Sequence, residues 1–530
     1  MIRSAIPSLV GCLMTVIGLH VASAQDSKKM PNILLLYADQ HNKEAMGFEG
    51  HPDVLTPNLD RLAEVSYVFD RAYCTTGICA PSRSSMMTGL YPRTLGILSN
   101  SERTQVMKEV TSMPSMLQNL GYKTYAFGKR HTSLAVDEGW HVHKSHLCDE
   151  SPGDNYVTWV AQQGYGEEFA QDWAAEFGKG PSCSPQVQKN YPTADLGTRT
   201  SSLPPEYTME AFTKQQTVQT IAAHAEGEEP FFIWASFYRP HQPYTPLQKF
   251  LDLYKYTSWG TGTRNGEAIK RPNSFYEPTE NLPPFLQSQR NGGNKVWNMD
   301  VAFANEQLWR DYIASYYALV SEVDFHVGEI IEALEKHGLK EETIIIYTSD
   351  HGDFVGQHGM VEKAAMGHNV YEDILQVPLI IHYPGQDDRK IRYDLVSQVD
   401  ILPTILEMIG ADTPDLNYPL QGHSLHGVMT NGESLDRKYL VSESWSQATV
   451  ITSKYKLGIM IEPPQALEQF DYRSYGDMFF DRKNDPEELS NALAEEAYDE
   501  EVKRLRTYYQ QFCEKIPDTG KVQAINQWNK

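Results

Sequence analysis

The sequence predicts an α/β fold: a large, mainly parallel sheet sandwiched by helices, followed by a smaller C-terminal α+β domain. Three observations carry that prediction. Several uninterrupted apolar runs of strand length end in polar or charged residues, the pattern of strands buried on both faces whose carboxyl ends open on a ligand site. A stripe of apolar residues at helical spacing lies between two of these runs, as alternation of strands and covering helices requires. The 530 residues include 41% apolar and 22% charged side chains with 36 Gly and 30 Pro, which supports a large core and excludes a coiled coil, a collagenous rod or a disordered chain.

Taken in order, the chain opens with Arg3, an apolar stretch from Ala5 to Val21 and the small residues Ala22-Ser23-Ala24. This is the pattern of a secretory signal spanning residues 1–24, removed after Ala24. Leu9-Val10-Gly11-Cys12 nominally fits a lipid-attachment box, but the apolar run continues past Cys12. No later run of ~20 apolar residues follows, so the expected product is exported, periplasmic or secreted, without stable membrane insertion.

The first strand is Asn32–Ala38, ending in Asp39-Gln40-His41. A second run, Phe231–Phe237, ends in Tyr238-Arg239-Pro240-His241; a third, Thr343–Ser349, ends in Asp350-His351-Gly352-Asp353; Leu379–His382 is a fourth. Two separate strands thereby deliver carboxylates to one edge. Ile313, Tyr317, Val320, Val323, Val327, Ile331 and Leu334 recur at three- and four-residue spacing and give an amphipathic helix closed by Gly338. Residues 148–230 and 251–310 have weak periodicity and many Gly, Pro, Asn and aromatic residues, and read as long loops over the active edge. The large domain, 25–437, runs out near Gly422-His423-Ser424-Leu425, and Tyr439-Leu440-Val441-Ser442 opens the C-terminal domain, 438–530.

A formal charge of -23 and a pI near 5.2 argue against a nucleic-acid partner, which requires a basic footprint. An anionic substrate must then be held by a local cluster of Lys, Arg and His or by a metal. Five cysteines follow residue 24, an odd number, which in an exported protein suggests one thiol with a task. Cys148 and Cys183 flank a loop of the kind a disulfide staples.

Cys79-Ala80-Pro81-Ser82-Arg83-Ser84-Ser85-Met86-Met87-Thr88-Gly89 resembles the signature of the type I sulfatases, C-x-P-S-R followed by T-G. Gly121-Tyr122-Lys123-Thr124-Tyr125-Ala126-Phe127-Gly128-Lys129-Arg130-His131 is similar to that family's second signature, G-Y-x-T-x-x-x-G-K-x-H. Thr56–Ala63, Pro240–Tyr244 and Phe480–Glu488 add supporting matches, so the resemblance runs from about Asn32 to Asn491. It implies an alkaline-phosphatase-like fold and a sulfuric ester hydrolase. It also implies that Cys79 is converted to formylglycine by a formylglycine-generating enzyme.

The residue types suit that chemistry. Sulfate-ester hydrolysis needs a nucleophile, charge neutralisation on the sulfuryl oxygens and a proton for the leaving alkoxide. A hydrated aldehyde supplies a nucleophile that also releases itself from sulfate, which a thiol cannot do. By the resemblance, Asp39, Gln40, Asp350, His351 and the formylglycine from Cys79 hold one divalent metal. Hard oxygen donors favour Ca²⁺, while Gln40 in place of a frequent second Asp, with the imidazole of His351, leaves Mg²⁺ or Mn²⁺ open.

Lys129, His131, His241 and Lys363 match the cationic residues around the sulfate, and Arg83 the arginine that supports the formylglycine. Lys129 and Lys363 would hold sulfate oxygens, His131 would act as base and His241 would protonate the leaving oxygen. His358, Arg130, Arg239 and His368 lie near these positions and either touch the sugar or serve structure. The expected substrate is a sulfated carbohydrate. Tyr156, Trp159, Trp173, Trp259 and Trp297 then offer flat faces for sugar rings, the alternative being ordinary loop anchors. Two further functions stay open at this point: a phosphoester or phosphonate monoester hydrolase of the same superfamily, and a non-catalytic binder of sulfated glycans.

Overall fold

The computed structural model describes residues 1, 29–100, 106–132, 139–147, 154–181, 189–254, 269, 271–277, 305–363, 370–444, 447–461 and 477–518. The signal segment, Cys148, Cys183, Trp259, Trp297 and His368 lie outside them.

The apolar run at the start of the described chain forms β1, Asn32–Asp39, with every residue buried. Further strands are β2 (Tyr67–Phe69), β3 (Lys123–Gly128), β4 (Val142–Ser145), β5 (Phe231–Pro240), β6 (Thr343–Ser349), β7 (Leu379–His382) and β8 (Lys390–Arg392). They form one sheet in the order β4-β3-β5-β1-β6-β7-β2-β8. All pairings are parallel except those of β7, which runs antiparallel to β6 and β2. The strands richest in Ile, Leu and Phe therefore take the centre, where both faces are covered. Fully burying one such side chain is worth ~1.5–3 kcal/mol over leaving it exposed.

Register fixes the functional edge. Ala38 of β1 pairs with Ser349 of β6, so Asp39 and Asp350 leave the sheet side by side. On the other side a bulge between Tyr37 and Asp39 brings Asp39 opposite Pro240 of β5. The helix Glu306–Lys336 packs with Met209–Ala223 over the face carrying Leu34, Leu36, Ile233 and Ile345. Asn305 caps its start by accepting from Leu308 N, and Gly338, at φ +69°, follows its end. On the opposite face Trp140 stacks on Phe232 and Trp234, and Arg83 lies over Tyr37.

The loop reading of residues 148–230 needs correction. Helices occupy Tyr156–Gln162, Gly166–Phe177 and Met209–Ala223, and the long helix begins at Glu306, inside the second expected loop. Asn155 and Thr208 cap two of them by accepting from Thr158 N and Ala211 N. Their aromatic residues make a core of their own: Tyr156 is fully buried against Phe169 and Phe212, while Trp159 and Trp173 pack on the same cluster. Tyr156 is thereby committed to packing, while Trp159 and Trp173 pack on the cluster and remain partly exposed.

Towards the C-terminus β9 (Leu440–Glu443), β10 (Gln447–Ile451), β11 (Tyr455–Met460) and β12 (Met478–Asp481) form an antiparallel sheet, with the helix Asp499–Lys515 on it. Its core takes in Tyr91, Leu98 and Val399 from the first part of the chain. Among the described residues no helix is long and apolar enough to cross a membrane.

Candidate active site

Cys79 is the first residue of the helix Cys79–Thr88, where unpaired backbone N–H groups give a partial positive charge. The glycine of each signature has a steric reason. Gly89 ends the helix at φ +67°, and a Cβ there would come within 2.9 Å of Leu420. Gly128, at φ +93°, lies so close to β5 that a Cβ would sit 1.9 Å from the carbonyl oxygen of Ser236. That approach lets Lys129 N donate to the same oxygen at 2.9 Å and aims the lysine into the edge.

Five groups converge on the sulfur. His351 Nε2 is 3.2 Å from Cys79 Sγ, and His131 and His241 are within hydrogen-bonding reach of it. Lys363 and Lys129 supply the strongest cationic influence on the thiol. Burial alone pushes the Cys79 thiol up, yet these two lysines and His351 overrule it and hold its pKa well below the usual range. The side chain belongs to a pocket built for an anion.

Behind the sulfur stand the two carboxylates. Arg83, fully buried, donates through Nε to Asp350 Oδ2 at 2.8 Å and through Nη2 to Asp39 Oδ2 at 3.0 Å. Its Nη1 donates to Lys129 O at 2.8 Å and Ser236 Oγ at 2.9 Å. Arg83 thus ties together β1, β3, β5 and β6 at their ends. Asp350 Oδ1 accepts from the backbone N–H groups of Gln40, at 2.9 Å, and His351, at 3.0 Å. Lys129 Nζ pairs with Asp39 Oδ2. Burial raises the Asp39 carboxyl, but Lys129 leads the charges that bring it down to about 2.

These residues fit a divalent cation. One donor atom each from Asp39, Cys79, Asp350 and His351 lies within 4.8 Å of the others, all buried. Asp39 Oδ1 is buried without a hydrogen-bond partner among the described residues, a costly state that a cation would relieve. His351 Nδ1 meets Gly352 O at 2.8 Å, which leaves Nε2 facing the cluster. Gln40, at φ +66°, has its amide orientation fixed: Nε2 donates to Asp353 Oδ2 at 2.6 Å and Gln242 Oε1 at 3.2 Å, and Oε1 accepts from Lys363 Nζ at 2.8 Å.

The structure therefore gathers Asp39, Gln40, Cys79, Arg83, Lys129, His131, His241, Asp350, His351 and Lys363 at one edge. Arg83 faces the carboxylates, and its bonds make it a brace for them. Of the neighbours with open roles, His358 sits between Glu277 (2.9 Å) and Asp373 (3.5 Å) against the Tyr371 ring, and these carboxylates overcome burial to raise it to about 9. Arg239 donates to the carbonyl oxygens of His241 and Pro243 and to Thr245 Oγ1, clamping the turn that presents His241. Both are structural supports.

Sequence reasoning missed the supporting shell. Asp353 is fully buried, accepts from Gln40, Tyr244 (3.1 Å) and Tyr312 (2.9 Å), and orients the Gln40 carbonyl. Ser82 Oγ and Gln398 Nε2 meet the backbone oxygen of Asp350 at 2.7 and 3.2 Å. Asp353 stood in the quoted strand-end cluster and could have been flagged; Gln242 and Gln398 carry no local signal.

The sulfatase family profile matches residues 31–411, and a profile described as N-sulphoglucosamine sulphohydrolase, C-terminal, matches residues 356–515. An arylsulfatase of Clostridium perfringens is 25% identical over 90% of this chain and 93% of its own length. An N-acetylglucosamine-6-O-sulfatase of Bacteroides thetaiotaomicron is 25% identical over 91% of this chain and 86% of its own. A phosphonate monoester hydrolase of Agrobacterium radiobacter shares the fold, with a TM-score of 0.73 at 20% identity, covering 92% of this chain and 96% of that one. With its profile matched over more than half of its length, the chain belongs to the sulfatase family of sulfuric ester hydrolases.

Proposed function

We propose that this protein is an exported sulfatase that hydrolyses sulfate esters of a carbohydrate, using a formylglycine formed from Cys79 and a divalent metal, Ca²⁺ by the hard oxygen donors of the site. The observation that carries the reading is the convergence of two lysines and three histidines on the side chain at the helix N-terminus, with two braced carboxylates behind it. As its hydrate, residue 79 offers one hydroxyl to attack sulfur and a second whose deprotonation expels sulfate. Asp39, Gln40, Asp350 and His351 would hold the metal, which adds positive charge beside the nucleophile and the sulfuryl oxygens.

The rest is done by side chains in place. Lys129 and Lys363 take sulfuryl oxygens, the positions now balanced by Asp39 and Gln40. His241 is held down to about 4 by burial and then by Lys129, so it is neutral in the free site. An anionic ester brings the negative charge that favours its protonated form, which then donates to the leaving oxygen. His131 takes the proton from the second hydroxyl. Arg83 keeps the two carboxylates apart and fixed.

Carbohydrate specificity is supported by a relative named for an amino-sugar sulfate, and export by the Arg3–Ala24 pattern. Gln40, where the family often has a second Asp, together with His351, where it has either Asn or His, resembles one branch of the phosphorus-ester hydrolases and gives that reading its own arm in the test. Purified formylglycine-bearing enzyme is assayed on aryl sulfate, sulfated sugars, an aryl phosphonate monoester and a phosphodiester. The reading expects the highest kcat/KM on a sulfated sugar; a phosphorus ester surpassing every sulfate would overturn it.

A further inference from the structure

The C-terminal sheet carries a groove of about 330 Å³ that the hydrolysis does not use. It opens at the turn between β10 and β11, where Thr452 N and Oγ1 both donate to Tyr455 O, at 2.9 and 2.8 Å. Four cations line it, Arg437, Lys438, Lys454 and Arg504, against one acid, Glu501. The chain as a whole has 46 Lys and Arg against 69 Asp and Glu, so the groove inverts the charge of the protein locally. The pairing of Leu440 with Ile451, continued outward by two residues, carries Lys438 to the turn that holds Lys454. The helix Asp499–Lys515, packed on β10 and β11, supplies Arg504 and Tyr508.

The four cations differ in what already holds them. Arg437 bonds both carboxyl oxygens of Asp400, at 2.6 and 2.8 Å, and Arg504 pairs with Glu501 one turn away on its helix. Lys438 and Lys454 are exposed and have no ion pair among the described residues. Like charges left side by side repel one another, and an anion with several charges relieves that at each cation it meets. Tyr508 adds a flat apolar wall, its ring fixed by stacking on Tyr439 with centroids 4.6 Å apart. Cations drawn from three separate segments suit a chain of sugars bearing several sulfates; one small anion needs them focused on a point, as Lys129 and Lys363 are on residue 79. The groove also stands apart from the catalytic edge. Glu443 N bonds Thr75 O, on the segment leading to Cys79, at the other end of the β9–β10 pair, and the five residues of β10, at ~3.3 Å each, separate that end from the groove.

We propose that this groove is a second, non-catalytic binding site for a sulfated polysaccharide, holding the polymer to the enzyme independently of the pocket at residue 79. The proposal takes from the sulfatase reading only the chemistry of the substrate. Its test is calorimetry on the full formylglycine-bearing chain at physiological salt, with dextran sulfate, unsulfated dextran and a DNA duplex as probes, alongside aryl sulfate kinetics. Dextran sulfate should bind, more weakly as salt is raised, and dextran should not. Lys438→Gln, Lys454→Gln and Arg504→Gln together should weaken dextran sulfate binding by about tenfold or more, while kcat/KM for the aryl sulfate stays within about twofold of wild type. Lys108→Gln, Lys336→Gln and Arg389→Gln remove the same charge from other exposed positions and should change neither quantity. Equal weakening in that control would reduce the effect to general electrostatics and overturn the proposal. Undiminished binding by the groove variant, no binding of dextran sulfate by wild type, or tighter binding of the duplex would overturn it as well, and so would a fall in aryl sulfate turnover that matches the fall in polymer binding. A wild-type enzyme that does not turn over the aryl sulfate would instead sink the sulfatase reading and leave the binding result standing.

Discussion

Two regions of this molecule bury clusters of charge, and they do so in opposite ways. Near the C-terminal sheet, Lys456 on β11 has no exposed surface and pairs with Glu372 at 2.8 Å and with Glu488. Arg482 answers the same Glu372 at 3.1 Å and bonds Tyr73, whose hydroxyl also donates to Glu372. Every charge there has a local opposite. At the edge of the main sheet, Arg83 and Lys129 pair with Asp39 and Asp350 while Lys363 bonds the uncharged Gln40, and both lysines act on Cys79. The lesson is that burial of charge does not itself mark function; a surplus aimed at one reactive atom does.

That contrast can be broken at either end. The largest effect is expected from Cys79→Ala, which should abolish sulfatase turnover by on the order of 10³-fold or more while leaving the melting temperature nearly unchanged, since the change removes the nucleophile and little packing. Comparable activity in a clean preparation would contradict the assignment. Next comes metal: prolonged chelation should silence the enzyme, and Ca²⁺ should restore it, with elemental analysis finding one divalent ion per chain in the active form. Asp39→Asn should weaken retention of the ion in the same assay.

In the balanced cluster the expectation reverses. Lys456→Met leaves Glu372 and Glu488 short of a partner and should cost ~3–5 kcal/mol in urea unfolding, with KM for aryl sulfate unchanged in the folded fraction. A shift in KM without loss of stability would erase the distinction between the regions.

The last contrast is in pH dependence, and its sign differs between regions. Glu372 is depressed to about 2, burial being outweighed by Arg482 and Lys456, so its contribution is full above 4.5 and is lost as pH falls from there through about 2. Glu176 is raised to about 9 by burial and Glu362, so the native state holds its proton more tightly and stability falls as pH rises from 4.5 through about 9. Glu176→Gln should therefore flatten the stability profile between pH 5 and 9, and Glu372→Gln the profile below 4.5. Melts across both ranges check this.

The difference also decides what could be read from the sequence. Cys79, Arg83, Lys129 and His131 stand in contiguous signatures, and Asp39 and Asp350 end apolar runs whose strand period is unmistakable, so both the parallel sheet and its reactive edge were legible. Gln242, Glu362 and Glu176 meet only because the turn after β5, the segment after β6 and the helix Gly166–Phe177 converge in space, and no local pattern announces that. The aromatic residues of 156–177 misled for a different reason. Their helices are short, so a tight cluster of rings looks aperiodic in sequence, although Asn155 and Thr208 carried cap signals that mark the helix starts.

The central claim is that turnover belongs to a modified residue 79 inside a cationic pocket. Its most direct test grades the conversion: enzyme is produced with increasing supply of a formylglycine-generating enzyme, and mass spectrometry of the Cys79 peptide gives the converted fraction beside aryl sulfate kcat. The account predicts a line through the origin, with activity proportional to formylglycine. Full activity in protein whose Cys79 is unconverted would contradict it.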